Sequence, residues 1–175
     1  MERLPVFRFH PDPIATGNVE ASQNVCRCCG RARGYVYVGP VYAADELRGV
    51  LCPWCIASGE ASDKFDAVFS DDHALVQAGL PPSTVAEVTR RTPGFTGWQQ
   101  EAWLVHCGDA CAFHGDAPPE ELLTADAQAQ LAAKASVSIE RWEAFVKAYR
   151  PGGDPAVYLF RCIACGERRF HMDFS

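Results

Sequence analysis

Nine cysteines are the residues of this 175-residue chain whose type and spacing could do chemistry. Eight of them form four close pairs, separated by two or three residues. At that spacing a tight turn can direct two thiolates at one metal ion. Disulfide frameworks of small secreted domains have no need of such close pairs. The spacing therefore predicts two four-cysteine metal sites, formed by Cys26, Cys29, Cys52 and Cys55 and by Cys107, Cys111, Cys162 and Cys165.

The first predicted site joins Cys26-x2-Cys29 to Cys52-x2-Cys55, with 22 residues between the pairs. Zinc ribbons use a slightly shorter interval of roughly 15 to 20 residues. Gly30 directly after the first pair suits a knuckle, because the turning backbone there needs a residue that tolerates positive φ. Cys52-Pro-Trp-Cys55 could alone be a dithiol redox centre. Because the other pair supplies the remaining ligands, a structural zinc ion is favoured.

The second predicted site lies in the C-terminal half of the chain. A capping box that begins at Thr96 predicts a helix, and its continuation would place Cys107 and Cys111 on one face at i, i+4 spacing. Cys162-x2-Cys165 is followed by a glycine, as in the first site. The two pairs would hold a second zinc ion, although cysteine ligands alone do not distinguish zinc from iron.

Three further residues near these pairs have roles that the spacing leaves open. His106 and His114 flank the third pair and could replace one sulfur as a ligand. The favoured interpretation is that both are surface or supporting histidines. Cys28 lies between two predicted ligands and is interpreted as a spectator, with a reactive thiol as the alternative.

The elements that must position these cysteines are a mixture of strands and helices. A run of β-branched and aromatic residues predicts a strand over 34–42. Alanine-rich and amphipathic patterns predict helices over 118–135 and 138–150. Residues 157–174 have the pattern of a strand, a cysteine knuckle and a returning strand. The expected fold class is α+β, with zinc-ribbon-like β-hairpin lobes packed against a helical segment.

The chain has no composition break that resembles a linker, so we expect a single domain over residues 1–175. Within it, the cysteine pairs divide the chain into two lobes. The N-terminal zinc lobe is expected at about 1–80, and a lobe with the helices and the second zinc knuckle at about 81–175.

Composition and charge narrow the functional classes. The formal net charge is −6, which argues against a broad face that binds nucleic-acid phosphates. A four-thiolate zinc site adds two negative charges, so two sites would change the charge from −6 to −10. Arginines near the knuckles are interpreted as offsetting this thiolate charge. They are Arg31, Arg33, Arg161, Arg168 and Arg169.

The sequence gives no catalytic constellation and no targeting signal. His-Glu-x-x-His, a phosphate-binding glycine loop and Gly-x-Ser-x-Gly are all missing from it. Four cysteines also close a zinc coordination shell, whereas catalytic zinc keeps an open position. The N-terminus has no apolar run typical of a signal peptide, and no segment is long enough to span a membrane. We therefore expect a cytoplasmic protein that is not an enzyme.

Six motifs follow one another over nearly the whole chain: LPVFRFHPDPIATG, CRCCG, GYVYVGPVY, LCPWCIASGEASDKFD, RTPGFTGWQQEAWLVHCGDACAF and YLFRCIACG. In this order they resemble the CbrC family of small bacterial proteins. The resemblance implies a cytosolic protein linked by the family name to tolerance of a nuclease colicin. It implies neither an established enzyme activity nor a metal.

Two functions from different classes follow. The first is a zinc-binding, non-catalytic protein whose acidic surface binds a nuclease toxin or another basic partner, as immunity-type proteins do. The second is a thiol-disulfide redox enzyme or sensor that uses Cys52 and Cys55. Binding to nucleic acid is disfavoured by charge, and the sequence does not specify an oligomeric state.

Overall fold

The computed structural model describes residues 2–135 and 138–175, and its fold is mixed α and β with small antiparallel sheets. The N-terminal part contains one two-stranded sheet followed by short helices. Its elements are β1 (Val19–Ala21), β2 (Tyr35–Tyr37), α1 (Pro53–Ser58), α2 (Glu60–Phe65), α3 (His73–Gln77) and α4 (Pro82–Arg91).

The strand predicted over 34–42 is formed only as β2, from Tyr35 to Tyr37. After it the chain folds back over the Tyr37 ring, whose hydroxyl donates a hydrogen bond to the Pro40 carbonyl at 2.8 Å. A Cβ at Gly39 would lie 2.6 Å from that hydroxyl, so only glycine permits the close approach. The turn therefore ends the strand earlier than its residue propensities suggest.

The C-terminal part contains a short hairpin and a three-stranded sheet in the order β5-β6-β7. The helical insertion lies between β5 and β6. The elements are β3 (Val105–His106), β4 (Asp109–Ala110), β5 (Ala112–Asp116), α5 (Pro119–Leu122), α6 (Ala125–Ala135), α7 (Ile139–Ala148), β6 (Ala156–Arg161) and β7 (Arg168–Asp173). Strands β6 and β7 confirm the predicted pair of strands around the last cysteine knuckle.

The predicted helices of the insertion are present, in three pieces. Thr124 caps α6, because its hydroxyl accepts a hydrogen bond from the Ala127 amide at 3.2 Å. Gln130 on α6 then ties the helix to strand β7. Its side chain donates to the Arg168 carbonyl at 2.9 Å and accepts from the Phe170 amide at 3.2 Å. The insertion thus covers an otherwise open sheet edge.

The helix predicted to begin at Thr96 is wrong, because the segment from Thr96 to strand β3 is irregular. The Asp173 carboxylate accepts hydrogen bonds from the backbone amides of Trp98 and Gln99, at 2.6 and 3.2 Å. The buried Glu101 carboxylate accepts from the Tyr42 hydroxyl at 2.7 Å. These contacts to distant parts of the chain hold the segment in place and override its local helical pattern.

The buried residues form three clusters. One surrounds the first two cysteine pairs, and another packs the helical insertion on the sheet. The central cluster is aromatic, with Phe95 stacked on Phe113 at 4.2 Å between ring centroids. Phe9 and Leu75 also belong to it, so the core draws on residues from both sides of position 80. None of the helices within residues 2–135 and 138–175 is both long and apolar enough to cross a bilayer.

Candidate metal centres

The structure brings the four predicted ligands of the first site together. The sulfur atoms of Cys26, Cys29, Cys52 and Cys55 lie within 4.8 Å of one another. The Sγ–Sγ distances are 3.9 Å for Cys26–Cys55, 3.9 Å for Cys29–Cys52 and 3.5 Å for Cys52–Cys55. A tetrahedron with zinc–sulfur bonds of about 2.3 Å has edges of about 3.8 Å. These three edges are close to the value that a tetrahedral metal ion requires, and all four sulfurs lie near enough to share one ion.

The first pair of this site lies on a knuckle whose shape depends on Gly30. The Gly30 amide donates to the Cys26 carbonyl at 2.8 Å, and the Cys26 amide donates to the Arg31 carbonyl at 3.0 Å. Gly30 has φ of 69°, which confirms the left-handed conformation predicted for it. The knuckle directs the Cys26 and Cys29 sulfurs to the same side.

The second pair lies at the start of helix α1. Cys52 is the N-cap residue and Pro53 occupies the first helical position, where the missing amide hydrogen costs nothing. The first helical turn then brings Cys55 back beside Cys52. The Cys52 amide also donates to the Cys26 sulfur at 3.2 Å, which links the two pairs.

The electrostatic environment of the first site favours a thiolate. A hydrogen bond from the Cys52 thiol, followed by backbone amides of Cys29, Cys52 and Cys28, lowers the pKa of Cys26, and the same hydrogen bond raises the pKa of Cys52. Burial opposes the change at Cys26 but is outweighed. Amide hydrogens that point at a sulfur stabilise its charged form, which is the form that binds metal.

A second group of donor atoms combines a histidine with three cysteines. The Nδ1 atom of His106 and the sulfurs of Cys107, Cys162 and Cys165 lie within 4.8 Å of one another. The Cys107 and Cys165 sulfurs are 3.8 Å apart, and His106 Nδ1 lies 3.3 and 3.5 Å from them. A tetrahedral zinc ion requires about 3.6 Å between sulfur and nitrogen ligands. The distances among His106, Cys107 and Cys165 are thus close to those around a tetrahedral ion, and the Cys162 sulfur lies near enough to complete the set.

Cys111, which the spacing predicted as the fourth ligand, lies outside this group, and His106 lies within the group instead. Cys111 is fully buried in the aromatic core, where burial raises the pKa of its thiol to about 12. Its carbonyl accepts from Trp103 Nε1 at 2.8 Å. His114 lies exposed on β5 and is outside the group. The adjacent residues His106 and Cys107 were the sequence signal for the histidine ligand.

Cys111 lies apart from Cys107 because a hairpin replaces the predicted helix. Cys107 and Gly108 form the two-residue turn between β3 and β4, with φ of 52° and 72°. Two positive φ values are typical of a type I′ hairpin turn. The turn places Cys107 at the tip beside His106, whereas Cys111 follows β4 into the core. A helix would have placed both sulfurs on one face.

The Cys162 knuckle repeats the hydrogen bonds of the Cys26 knuckle. The Gly166 amide donates to the Cys162 carbonyl at 2.9 Å, and the Cys162 amide donates to the Glu167 carbonyl at 2.8 Å. Gly166 has φ of 76°. Each group therefore contains one knuckle of the same construction, and the groups differ in what faces that knuckle.

A carboxylate holds the orientation of the His106 ring. The Nε2 atom of His106 lies 3.4 Å from the Glu167 carboxylate, which also pairs with Arg169 at 3.0 Å. Metal-binding histidines commonly place their second nitrogen against a carboxylate in this way, which fixes the tautomer and the ring orientation. The contact supports Nδ1 as the atom that would bind the metal.

The two groups differ in exposure and charge. Cys26, Cys52 and Cys55 are each 1% exposed, whereas Cys107 and Cys165 are exposed. An ion with two positive charges leaves −2 on four thiolates and −1 on three thiolates with a neutral histidine. Two filled sites would thus change the formal charge from −6 to −9, one unit less than predicted.

Cys28 lies beside the first group without belonging to it. Its sulfur forms a smaller group with the Cys55 sulfur and the Glu60 carboxylate, again within 4.8 Å. The Cys55 sulfur is 3.7 Å from Glu60 Oε2. Cys55 is therefore common to both sets of donor atoms.

Most arginines near the knuckles are paired with carboxylates. Arg33 pairs with Glu2 and lies 4.2 Å from the centroid of the Trp54 ring. Arg161 and Arg168 both pair with Glu121. These contacts offset the charge of the three arginines locally.

The fold and these donor groups define a small α+β protein with two cysteine-rich groups that could hold metal ions. The chain belongs to the uncharacterised protein family UPF0167, whose model matches residues 4–174. It is similar to the UPF0167 protein PA1536 of Pseudomonas aeruginosa, with 52% identity over 98% of both chains. The UPF0167 protein Mb2317 of Mycobacterium bovis is 43% identical, over 99% of this chain and 95% of its own. No solved structure gives a significant match.

Proposed function

We propose that this protein is a non-catalytic zinc protein that binds one ion at each of the two groups. The observation that carries the proposal is the clustering of four donor atoms within 4.8 Å of one another around each of two separate centres, with three pairs in each group 3.3 to 3.9 Å apart. Four thiolates, or three thiolates with an imidazole, are donor sets that select zinc or iron among common metals. The lobes around the two knuckles would then be zinc-ribbon-like.

Native mass spectrometry on protein purified without added metal tests this proposal. Two zinc ions per chain are expected, in colourless protein, since iron–thiolate centres absorb visible light. Seven of the nine cysteines are assigned as ligands, and buried Cys111 is an eighth that is protected. Alkylation of the native protein should thus modify about one thiol, Cys28, and alkylation after denaturation with chelator should modify all nine. Metal-free folded protein would contradict the proposal.

The redox alternative is supported by one contact, the 3.5 Å distance between the Cys52 and Cys55 sulfurs. A dithiol at this distance could close to a disulfide if it held no metal. A redox function requires Cys52→Ser to abolish turnover while the fold survives. The zinc proposal requires the same variant to lose an ion and to unfold around it.

We further propose that the protein acts in the cytoplasm by binding another protein with a basic surface. The net charge of −6, lowered further by bound thiolates, supports such a partner. The CbrC resemblance suggests a nuclease toxin, with tolerance or immunity as the outcome. Pull-down with nuclease toxin domains, together with protection of cells, tests this. If the toxin domains neither bind the protein nor lose toxicity in its presence, the proposal that the partner is a nuclease toxin is contradicted.

A further inference from the structure

We propose a third metal site in the N-terminal part, formed by Cys28, Glu60 and the shared sulfur of Cys55. It would bind a thiophilic cation such as Zn²⁺ or Cd²⁺. The inference rests on the proposed function, because its bridging sulfur is also a ligand of the first ion. A thiolate sulfur has enough lone pairs to bind two soft cations at once.

The donor atoms already have a suitable arrangement. The Cys28 sulfur, the Cys55 sulfur and a Glu60 carboxylate oxygen lie within 4.8 Å of one another. The distance from Cys55 Sγ to Glu60 Oε2 is 3.7 Å, and tetrahedral zinc requires about 3.5 Å between a sulfur and an oxygen ligand. Little rearrangement is therefore needed to hold an ion.

The local backbone fixes both new ligands relative to the bridging sulfur. Cys28 lies on the first knuckle, and its carbonyl accepts a hydrogen bond from the Lys64 ammonium at 2.7 Å. Glu60 begins α2, which follows the helix of Cys55 after a single glycine, Gly59, with φ of 86°. The turn at Gly59 brings the carboxylate back towards the Cys55 sulfur.

Charge and exposure indicate how this site differs from the first. The filled first group carries a formal charge of −2, and the adjacent Glu60 carboxylate adds a further negative charge, whereas the Cys28 thiol releases its proton only when it binds an ion. A second cation offsets these charges. Three protein ligands leave one coordination position open, and Glu60 is exposed. The third ion would therefore be accessible to solvent and would exchange with free cations, while the first ion stays buried.

The test is a titration of the reduced, zinc-loaded full-length protein with Cd²⁺. Native mass spectrometry counts the ions, and the ultraviolet thiolate-to-cadmium charge-transfer band counts the bound thiolates. Three ions per chain are expected for the natural sequence and two for Cys28→Ser. Glu60→Gln should weaken the third ion on the order of 10-fold or more, the scale typical of losing a supporting carboxylate. Cys111→Ala serves as the control that removes an unrelated thiol and should still bind three.

The outcomes separate this inference from the proposed function. Two ions in the natural protein would overturn the third site and leave the two-zinc proposal intact. A third ion that survives in Cys28→Ser would overturn the assignment to these residues. Fewer than two ions would contradict the proposed function itself. Circular dichroism of each variant identifies any that fails to fold, and Glu60→Gln provides an independent test because Glu60 is exposed.

Discussion

The two candidate metal centres share one half and differ in the other. Each contains a Cys-x2-Cys knuckle closed by a glycine with positive φ, at Gly30 and at Gly166. The first knuckle faces the start of a buried helix, whereas the second faces the exposed tip of a hairpin. The shared half is encoded within five residues. The element that faces it decides whether the centre is buried or reaches solvent.

This difference predicts different roles for the two ions. A first ion would lie within a hydrophobic cluster that includes Cys26, Cys52 and Cys55, so its removal would leave buried thiolates uncompensated. A second ion would join a two-residue turn to a sheet that is also held by its strand pairing and by α6. The first ion should therefore maintain the fold, and the second should fix only a surface hairpin.

The largest effect is expected from removing one ligand of the first centre. Cys52→Ser should lose one ion and unfold the N-terminal part, since structural zinc contributes about 10–16 kcal/mol in finger peptides. Cys165→Ser should lose the other ion and keep the aromatic core folded. Circular dichroism, near-ultraviolet spectra and ion counts on both variants measure the difference. Equal unfolding of the two variants would show that exposure does not separate the centres.

Removal of metal by a chelator should follow the same order. Because Cys107 and Cys165 are exposed, a chelator should reach the second ion first and release it faster than the first. Mass spectrometry after timed incubation with chelator should show a one-ion intermediate that retains its N-terminal structure. Alkylation of that intermediate should label Cys107 and Cys165 before Cys26. Simultaneous loss of both ions would contradict the predicted difference in accessibility between the two centres.

A smaller effect is expected at Glu167, which contacts the second centre through His106. Glu167→Gln removes the carboxylate beside Nε2 and should lower the affinity for the second ion about 10–100-fold. The first ion should be unaffected. Competition with a zinc-binding dye measures both affinities, and Glu120→Gln, an exposed carboxylate on α5, is the control. An unchanged second affinity would exclude a role for this contact.

The smallest effects should be equal in the two knuckles. Gly30→Ala and Gly166→Ala both place a Cβ on a residue with positive φ, and neither Cβ would meet another atom within 4 Å. Only backbone strain is added, so each should cost roughly 1–2 kcal/mol. Denaturant unfolding of the zinc-loaded variants measures these costs. A much larger cost at one glycine would show that the knuckles are not equivalent.

The parts of the sites that could be predicted from the sequence are those fixed locally. Knuckle spacing, the conformation of Gly30 and the cap at Thr124 each depend on a few neighbouring residues. The exchange of Cys111 for His106 could not be predicted in this way. It follows from the hairpin at Cys107, which replaces a helix that has good local signals.

The reason is physical. The Asp173 carboxylate accepts hydrogen bonds from the amides of Trp98 and Gln99, and the Glu101 carboxylate accepts one from the Tyr42 hydroxyl, so residues far away in the chain position this segment. Contacts over such a separation leave no periodic pattern in the sequence. The fold class and the helical insertion were predictable because hydrophobic period and turn residues determine them.

The central claim, that the second centre consists of His106 with three cysteines, is tested most directly by counting ions in two variants. Native mass spectrometry of His106→Ala and Cys111→Ala, each beside the natural protein, is the measurement. If His106 is a ligand and Cys111 is not, we expect two zinc ions in the natural protein, two in Cys111→Ala and one in His106→Ala. Loss of an ion from Cys111→Ala, with both ions retained in His106→Ala, would contradict it and restore Cys111 as the ligand.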